Sequence, residues 1–185
     1  MMLAWASALV LAAAGGSEPA SPGGWRSPAA RCEAMAGSLR VPPALHGVVT
    51  DLCRRSPTFR RQVARLADAG GLTVTVRLVV LPSTSPCRAQ TVIARVDGQV
   101  RSADVQVPAG HTRLVVELIG HEFEHIVEQL DGVDLRRWVG HGGVHRVGAD
   151  QAAGPIETER ARQVGLLVAG EYTASTMEIA ALGVR

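Results

Sequence analysis

The spacing of apolar residues changes twice along the chain, and these changes restrict the class of fold. Between Thr58 and Ala69, behind a Ser56-Pro57 pair of the kind that opens helices, apolar residues recur every three or four positions. From Leu72 to Leu81 the sequence is rich in β-branched residues and stops at Pro82, which is typical of a strand. The helical period returns between Arg113 and Leu130. We therefore predict an α+β fold.

Further elements are predicted on both sides of this strand. Two helices are expected before it, over Arg31 to Leu39 and Ala44 to Arg55. After it, the runs Gln90 to Val96 and Val100 to Val107 alternate as strands do, and Asp97-Gly98 between them is a strong hairpin signal. The expected architecture is N-terminal helices, a small mixed sheet with an antiparallel hairpin, and C-terminal helices.

Composition limits the classes of protein that this chain can belong to. With 46% hydrophobic and 19% charged residues among 185, the chain can bury one core and does not resemble a disordered polyelectrolyte. Nineteen basic and seventeen acidic residues are scattered without a basic stripe. Because phosphate backbones are bound by such stripes, we expect no nucleic-acid partner.

The beginning of the chain has the form of an export signal. Leu3 to Ala14 is an apolar stretch followed by small residues, too short to span a bilayer, so residues 1–18 are predicted to be a signal peptide. Residues 19–30 are rich in Pro, Gly and Ser and are predicted to be a linker, which leaves 31–185 as the domain. No later segment is long and apolar enough to cross a membrane. A secreted or periplasmic location is expected.

Three cysteines remain in the predicted mature chain. They are Cys32, Cys53 and Cys87, and an oxidising compartment favours pairing two of them. Cys32 with Cys53 is the first choice because both lie in neighbouring predicted helices, and the other two pairings stay open. The absence of any CxxC spacing disfavours a cysteine zinc site.

The helix predicted over Arg113 to Leu130 carries the clearest chemical motif. The sequence from His121 to His125 reads HEFEH, a match to HExxH, with apolar residues on both sides. Residues four apart share a helical face, so the two imidazoles can bind one metal ion together. Glu122 then lies beside them, where a carboxylate can take a proton from a metal-bound water.

A third donor is required, because a catalytic zinc commonly has three protein ligands and one open position. Glu157 is the first candidate. It lies in the segment Gly154 to Gly170, whose Pro155 and apolar period predict a second helix with Glu157 on its apolar face. An acid on such a face is costly unless a cation neutralises it. Glu159 is the alternative on the same segment.

The glycine-rich loop offers two more candidates. His141 and His145 are four residues apart, and either could replace Glu157 as the third ligand. A loop histidine, for which we select His145, could instead donate a hydrogen bond to the oxyanion of an acyl-transfer reaction. Tyr172 is a weaker candidate for that role. Glu117, Glu124 and Glu128 are candidates for accepting hydrogen bonds from metal-bound imidazoles.

The motif and the acid that follows it resemble the zincin metallopeptidases, and more closely the gluzincin arrangement. In that arrangement HExxH on one helix is completed by a Glu from a following helix. The matching residues are His121, Glu122, His125 and Glu157. The chain departs from the ExxxD pattern of such families by carrying Ala161 in place of the Asp that orients a metal-bound histidine.

The resemblance extends to a group of small exported bacterial zincin-like proteins and covers most of the domain. It implies a zincin-like fold and zinc bound by His121, His125 and Glu157. It also implies hydrolysis of a peptide or protein substrate by a metal-activated water, with Glu122 as general base. In zincins an antiparallel edge strand holds the substrate, and Val100 to Val107 is the candidate edge here, with a central position as the alternative.

Two other functions stay open at this stage. In a non-catalytic zinc protein, the same ligands would join the helices and His141, His145 or Asp150 would fill the fourth position. In an interaction module, the scaffold would persist without a metal.

Overall fold

The computed structural model describes residues 32, 37–80, 88–147 and 154–182. Within them the chain is a mixed α+β protein, which confirms the predicted class. The predicted signal peptide and linker, Cys87 and Asp150 lie outside the described residues. In chain order the elements are β1 (Leu39–Arg40), α1 (Pro43–Arg55), α2 (Pro57–Ala67), β2 (Thr73–Val79), β3 (Gln90–Val96), β4 (Gln99–Pro108), α3 (Thr112–Leu130), α4 (Leu135–Trp138), β5 (Val144–Arg146), β6 (Ile156–Thr158) and α5 (Glu159–Leu182).

The larger sheet has the strand order β1-β2-β4-β3 and is mixed. β4 is parallel to β2 and antiparallel to β3, to which the predicted hairpin joins it. The turn residues Asp97 and Gly98 have φ values of 50° and 75°, as a two-residue hairpin turn requires. The expectation that Val100 to Val107 forms the sheet edge is wrong, because β4 has a neighbour on both sides. Among the described strands, β3 is the edge on that side.

Helix α3 lies against this sheet and contacts β4 and β3, while α5 packs along α3. Phe59 of α2 and Phe123 of α3 meet in the core with ring centroids 5.2 Å apart. A disulfide joins Cys32 to Cys53, as predicted. None of the helices described here has the length and apolar character that crossing a bilayer requires.

Two predicted helices differ from the observed ones. Leu39 belongs to strand β1, which pairs with β2, so the prediction of a helix up to Leu39 is wrong at that residue. Residues 31 and 33–36 of that predicted helix lie outside the described residues. The helix predicted to begin at Pro155 begins at Glu159 instead. The three residues before it form strand β6, which pairs antiparallel with β5. The side chain of Thr158 accepts a hydrogen bond from the amide of Ala161 and so caps the helix where it starts.

The start of α2 is joined to α5 through a buried hydrogen-bond cluster. Ser56 caps α2 as predicted, with its Oγ accepting from the amide of Phe59 at 2.9 Å. Its hydroxyl donates to Glu171 of α5, which also accepts from the amide of Thr58 at 3.0 Å and from the Thr58 hydroxyl at 2.8 Å. A carboxylate at this position satisfies unpaired amides and opposes the positive end of the helix dipole.

Replacing Glu171 with Ala should therefore destabilise the fold. We expect a loss of about 1–2 kcal/mol in the free energy of unfolding, because the helix loses a charged cap and two hydroxyls lose an acceptor. Urea unfolding followed by circular dichroism measures this. Glu159→Ala is the matched control on the same helix, since Glu159 makes a surface ion pair that contributes little to stability. Equal losses in the two variants would contradict this role of Glu171.

Candidate metal centre

His121 and His125 project from one face of α3, as their spacing predicts. Their ring centroids are 4.9 Å apart and their planes are nearly perpendicular, at 82°. One carboxylate oxygen of Glu157 lies 3.1 Å from Nε2 of His121 and 3.5 Å from Nε2 of His125. Ligand atoms of the three residues all lie within 4.8 Å of one another. The three residues form a group that could hold a metal ion.

These separations can be compared with the requirements of coordination. Donor atoms at roughly 2.0–2.1 Å from a tetrahedral ion are roughly 3.4 Å from each other. The two distances from Glu157 to the histidines, 3.1 and 3.5 Å, bracket that value. Two imidazole nitrogens with one carboxylate oxygen are also a donor set that suits a borderline-soft divalent ion. The distances from Glu157 to the two histidines therefore fit a shared metal ion.

Glu157 reaches the histidines from a strand, which corrects the expectation that it lies on a helix. It is in β6, opposite His145 of β5. The apolar spacing that predicted a helix belongs to the residues after Glu159. Burial by itself would raise the pKa of Glu157, but hydrogen bonds from His121 and His125 lower this pKa well below the ordinary value.

Glu128 orients His125 from one turn further along α3. Its carboxylate accepts from Nδ1 of His125 at 3.0 Å and from the hydroxyl of Thr158 at 2.9 Å. Nε2 of His125 is thereby directed toward Glu157. Burial lowers the pKa of His125, but the hydrogen bonds to Glu128 and Glu157 outweigh it and raise the pKa to about 10. The surroundings of this ring therefore stabilise positive charge, for which a proton and a metal ion compete.

The other two acids considered as acceptors have different partners. Glu124 accepts from Gln62 of α2 at 2.8 Å and from Arg160 of α5 at 2.6 Å, so it connects three helices. Glu117 makes an ion pair with the largely exposed Arg88. Of the three acids, Glu128 is the one bonded to a histidine of the group.

Glu122 is buried beside the two histidines and faces the edge strand. The hydroxyl of Thr91 in β3 donates to its carboxylate at 2.6 Å. Burial raises the pKa of Glu122, although His125 and the Thr91 hydrogen bond oppose this effect. A carboxyl group with a raised pKa in a cleft is suited to accepting a proton in a reaction. The sequence analysis missed Thr91, because strand alternation alone does not show which residue of β3 lies opposite Glu122.

The group opens into a cleft of about 810 Å³. Its lining residues come from β3, from α3, from the loop after α3 with the start of α4, and from β5, β6 and the residues next to them. The polar and charged residues that line it include Thr91, Arg95, His121, Glu122, His125, Gln129, Asp134, Arg136, Arg146 and Glu157.

The remaining candidates lie elsewhere in the part of the chain that the structure describes. His141 and His145 are exposed and do not line the cleft, and Nδ1 of His145 is 3.4 Å from the carbonyl of Gly143. Hydrogen bonds from Arg162 and Gln163 lower the pKa of Glu159 to about 2, and Glu159 is not part of the group formed by His121, His125 and Glu157. Tyr172 packs on the core, with the Arg55 guanidinium 5.1 Å from its ring centroid.

Two glycines set the distance between α3 and α5. A Cβ atom at Gly165 would lie 2.8 Å from the carbonyl oxygen of Glu117 and 2.9 Å from Cβ of His121. A Cβ atom at Gly120 would lie 2.9 Å from Cβ of Val168. Only glycine permits this approach, which brings the start of α5, and with it β6, onto the face of α3 that carries the histidines.

Comparison of the chain with protein-family models, with curated proteins and with solved structures finds no match in any of the three. The function proposed below therefore rests on the geometry and chemistry of the site.

Gly165→Ala should separate the two helices and weaken metal binding. We expect a loss of about 1–3 kcal/mol in the free energy of unfolding, as overpacking gives, and a drop of roughly tenfold or more in affinity for zinc. Gly170→Ala is the matched control on α5, because a Cβ atom there meets nothing within 4 Å. This variant should keep its affinity for zinc, and its free energy of unfolding should rise by up to about 1 kcal/mol. Calorimetric zinc titration and urea unfolding test the pair, and unchanged zinc affinity in Gly165→Ala would contradict this packing role.

Proposed function

We propose that the protein is an exported, zinc-dependent peptide hydrolase with a zincin-like fold. The observation that carries the proposal is the convergence of His121, His125 and Glu157 beside the buried Glu122 at an open cleft. Zinc is the proposed ion because two imidazoles and one carboxylate are a ligand set typical of catalytic zinc.

The residues around the ion divide the chemistry between them. Bound zinc would polarise a substrate carbonyl and lower the pKa of a water molecule. Glu122 takes the proton of the attacking water and passes it to the leaving amine. Thr91 holds the Glu122 carboxylate in place through its 2.6 Å hydrogen bond. Glu128 holds the His125 ring by its Nδ1, which performs the orienting role that an Asp at position 161 would have in the ExxxD pattern.

The edge strand supports a peptide as the substrate. β3 borders the cleft, and among the described strands it pairs with β4 alone, so the main-chain groups of its other side have no strand partner there. An extended peptide can add to such an edge by main-chain hydrogen bonds. Its carbonyl groups would then lie beside Glu122 and the metal ligands.

A non-catalytic zinc site fits the geometry less well. Structural zinc sites are closed by four protein donors. Among the described residues three donors converge, and the two loop histidines proposed for the fourth position do not line the cleft. Asp150, the other candidate for that position, lies outside the described residues. Within residues 37–80, 88–147 and 154–182, the group therefore has a cleft beside it instead of a fourth protein donor.

Export is part of the proposal and has two supports. The apolar leader has the length and small-residue ending of a signal peptide. The disulfide between Cys32 and Cys53 is of the kind that persists in oxidising compartments. Together they favour a secreted or periplasmic location.

Hydrolysis of a mixed peptide pool tests the proposed activity. The purified protein should carry one zinc ion per chain and cleave peptides, lose activity on chelation and regain it when zinc is added. Mass spectrometry of the products measures cleavage. Zinc-loaded protein that leaves the pool intact would contradict the enzyme proposal and favour the non-catalytic alternative.

Glu122→Gln separates catalysis from metal binding. The variant should keep its zinc, because Glu122 is not in the ligand group, while the rate falls by about 10²–10⁴-fold, as loss of a general base gives. Glu117→Gln is a control one turn before His121 on the same helix, and its rate should stay within about twofold. Full activity in Glu122→Gln would refute the role of this carboxylate.

A further inference from the structure

Three arginines line the cleft without a carboxylate partner. They are Arg95 of β3, Arg136 of α4 and Arg146 of β5. Among the described residues, none of the three has a carboxylate oxygen within 4.0 Å, although many other arginines of the chain do. Their charge is therefore available to a molecule that enters the cleft.

Two of these arginines lie at the same end of the cleft. Arg95 donates to the side-chain oxygen of Gln129 at 2.6 Å and to the carbonyl of Gly98 at 2.8 Å. These bonds hold the guanidinium beside the end of α3 and leave several of its five N–H groups free. Arg136 is in α4, which follows α3 after a short loop. Both lie beyond His125, toward the end of α3.

The acids of the cleft do not offset this charge once a metal ion is bound. Glu157 belongs to the metal group and Glu122 lies against it. The remaining acid that lines the cleft, Asp134, accepts from the amide of Arg137 and caps α4. With a divalent cation in place, the cleft therefore has an excess of positive charge, which attracts anionic ligands.

We propose that the cleft selects acidic peptides, and that Arg95 and Arg136 recognise acidic side chains of the substrate. This inference rests on the proposed function for the position of the bond that is cut. A carboxylate suits the planar guanidinium, which can donate two parallel hydrogen bonds to it.

The spacing along β3 places the recognised residue. Thr91 contacts Glu122, and Arg95 is four residues further along the strand. The pairing of β3 with β4 shifts register between Ala94 and Arg95, so this irregular span covers about 10–13 Å at roughly 3.3 Å per residue. A peptide extended beside β3 covers the same length in about three to four residues. The favoured acidic side chain therefore lies about four positions from the bond beside Glu122.

Peptide binding tests this independently of turnover. The zinc-loaded full chain with Glu122→Gln is titrated against labelled peptides that share one uncharged centre. Two Glu residues are placed four positions before or after that centre, and Gln or Arg replaces them in the comparison peptides. Fluorescence anisotropy at low and high salt gives the dissociation constants. We expect one Glu peptide to bind about tenfold more tightly than its Gln counterpart, with the Arg peptide weakest and the difference reduced by salt.

Arginine variants locate the effect within the cleft. Arg95→Gln and Arg136→Gln should each reduce the advantage of the Glu peptide by about threefold to fivefold, as expected for partly exposed ion pairs. Arg137→Gln is the matched control, because it is the neighbouring residue of α4 and does not line the cleft. The advantage should survive in this variant.

Several results would overturn the inference. One is equal binding of the Glu and Gln peptides. Another is an equal loss of the Glu peptide's advantage in Arg136→Gln and Arg137→Gln. A third is binding of a single-stranded oligonucleotide as tight as that of the Glu peptide. Charge-dependent peptide binding without hydrolysis by the zinc-loaded natural chain would support the inference and contradict the proposed function. Hydrolysis without charge preference would support the proposed function and contradict this inference.

Discussion

Burial of three carboxylates on one helix organises this structure. Glu122, Glu124 and Glu128 of α3 are each only 3–5% exposed. A buried charge without partners destabilises a fold strongly, so each acid requires a neighbour that neutralises or hydrogen-bonds it. The partners come from several of the elements packed around α3. Thr91 of β3 donates a hydrogen bond to Glu122. Gln62 of α2 and Arg160 of α5 donate to Glu124.

The third acid connects the metal group to the rest of the fold. Glu128 bonds His125 on one side and Thr158 on the other. Thr158 follows Glu157 directly and also caps α5. One short segment thus supplies one residue of the candidate metal centre, supports the carboxylate that orients another residue of that centre, and starts the helix that packs against α3. This segment can reach α3 because Gly120 and Gly165 let the two helices approach closely.

Sequence patterns predicted the features that depend on local chemistry. The Asp97-Gly98 turn, the Ser56 cap and the shared face of the two histidines follow from backbone preferences of short segments. The pairing of Cys32 with Cys53 was one of three possibilities and is confirmed.

Features that depend on long-range pairing escaped prediction. β4 is central because it pairs in parallel with β2, although β3 lies between these two strands in the sequence. No short sequence pattern indicates that pairing. Glu157 lies on a strand because β5 offers β6 an edge, which overrides the apolar spacing that favoured a helix. The hydrogen bond between Thr91 and Glu122 depends on the position of β3 relative to α3, which no short sequence pattern predicts.

The central claim is a divalent ion held by two imidazoles of α3 and a carboxylate of β6. X-ray absorption at the zinc edge of the purified chain tests it most directly. We expect a first shell of nitrogen and oxygen atoms at about 2.0–2.1 Å, with outer scattering from two imidazole rings. Glu157→Ala should change this first shell, because it removes the carboxylate oxygen. A shell of sulfur atoms at about 2.3 Å, or a chain that takes up no zinc, would contradict it.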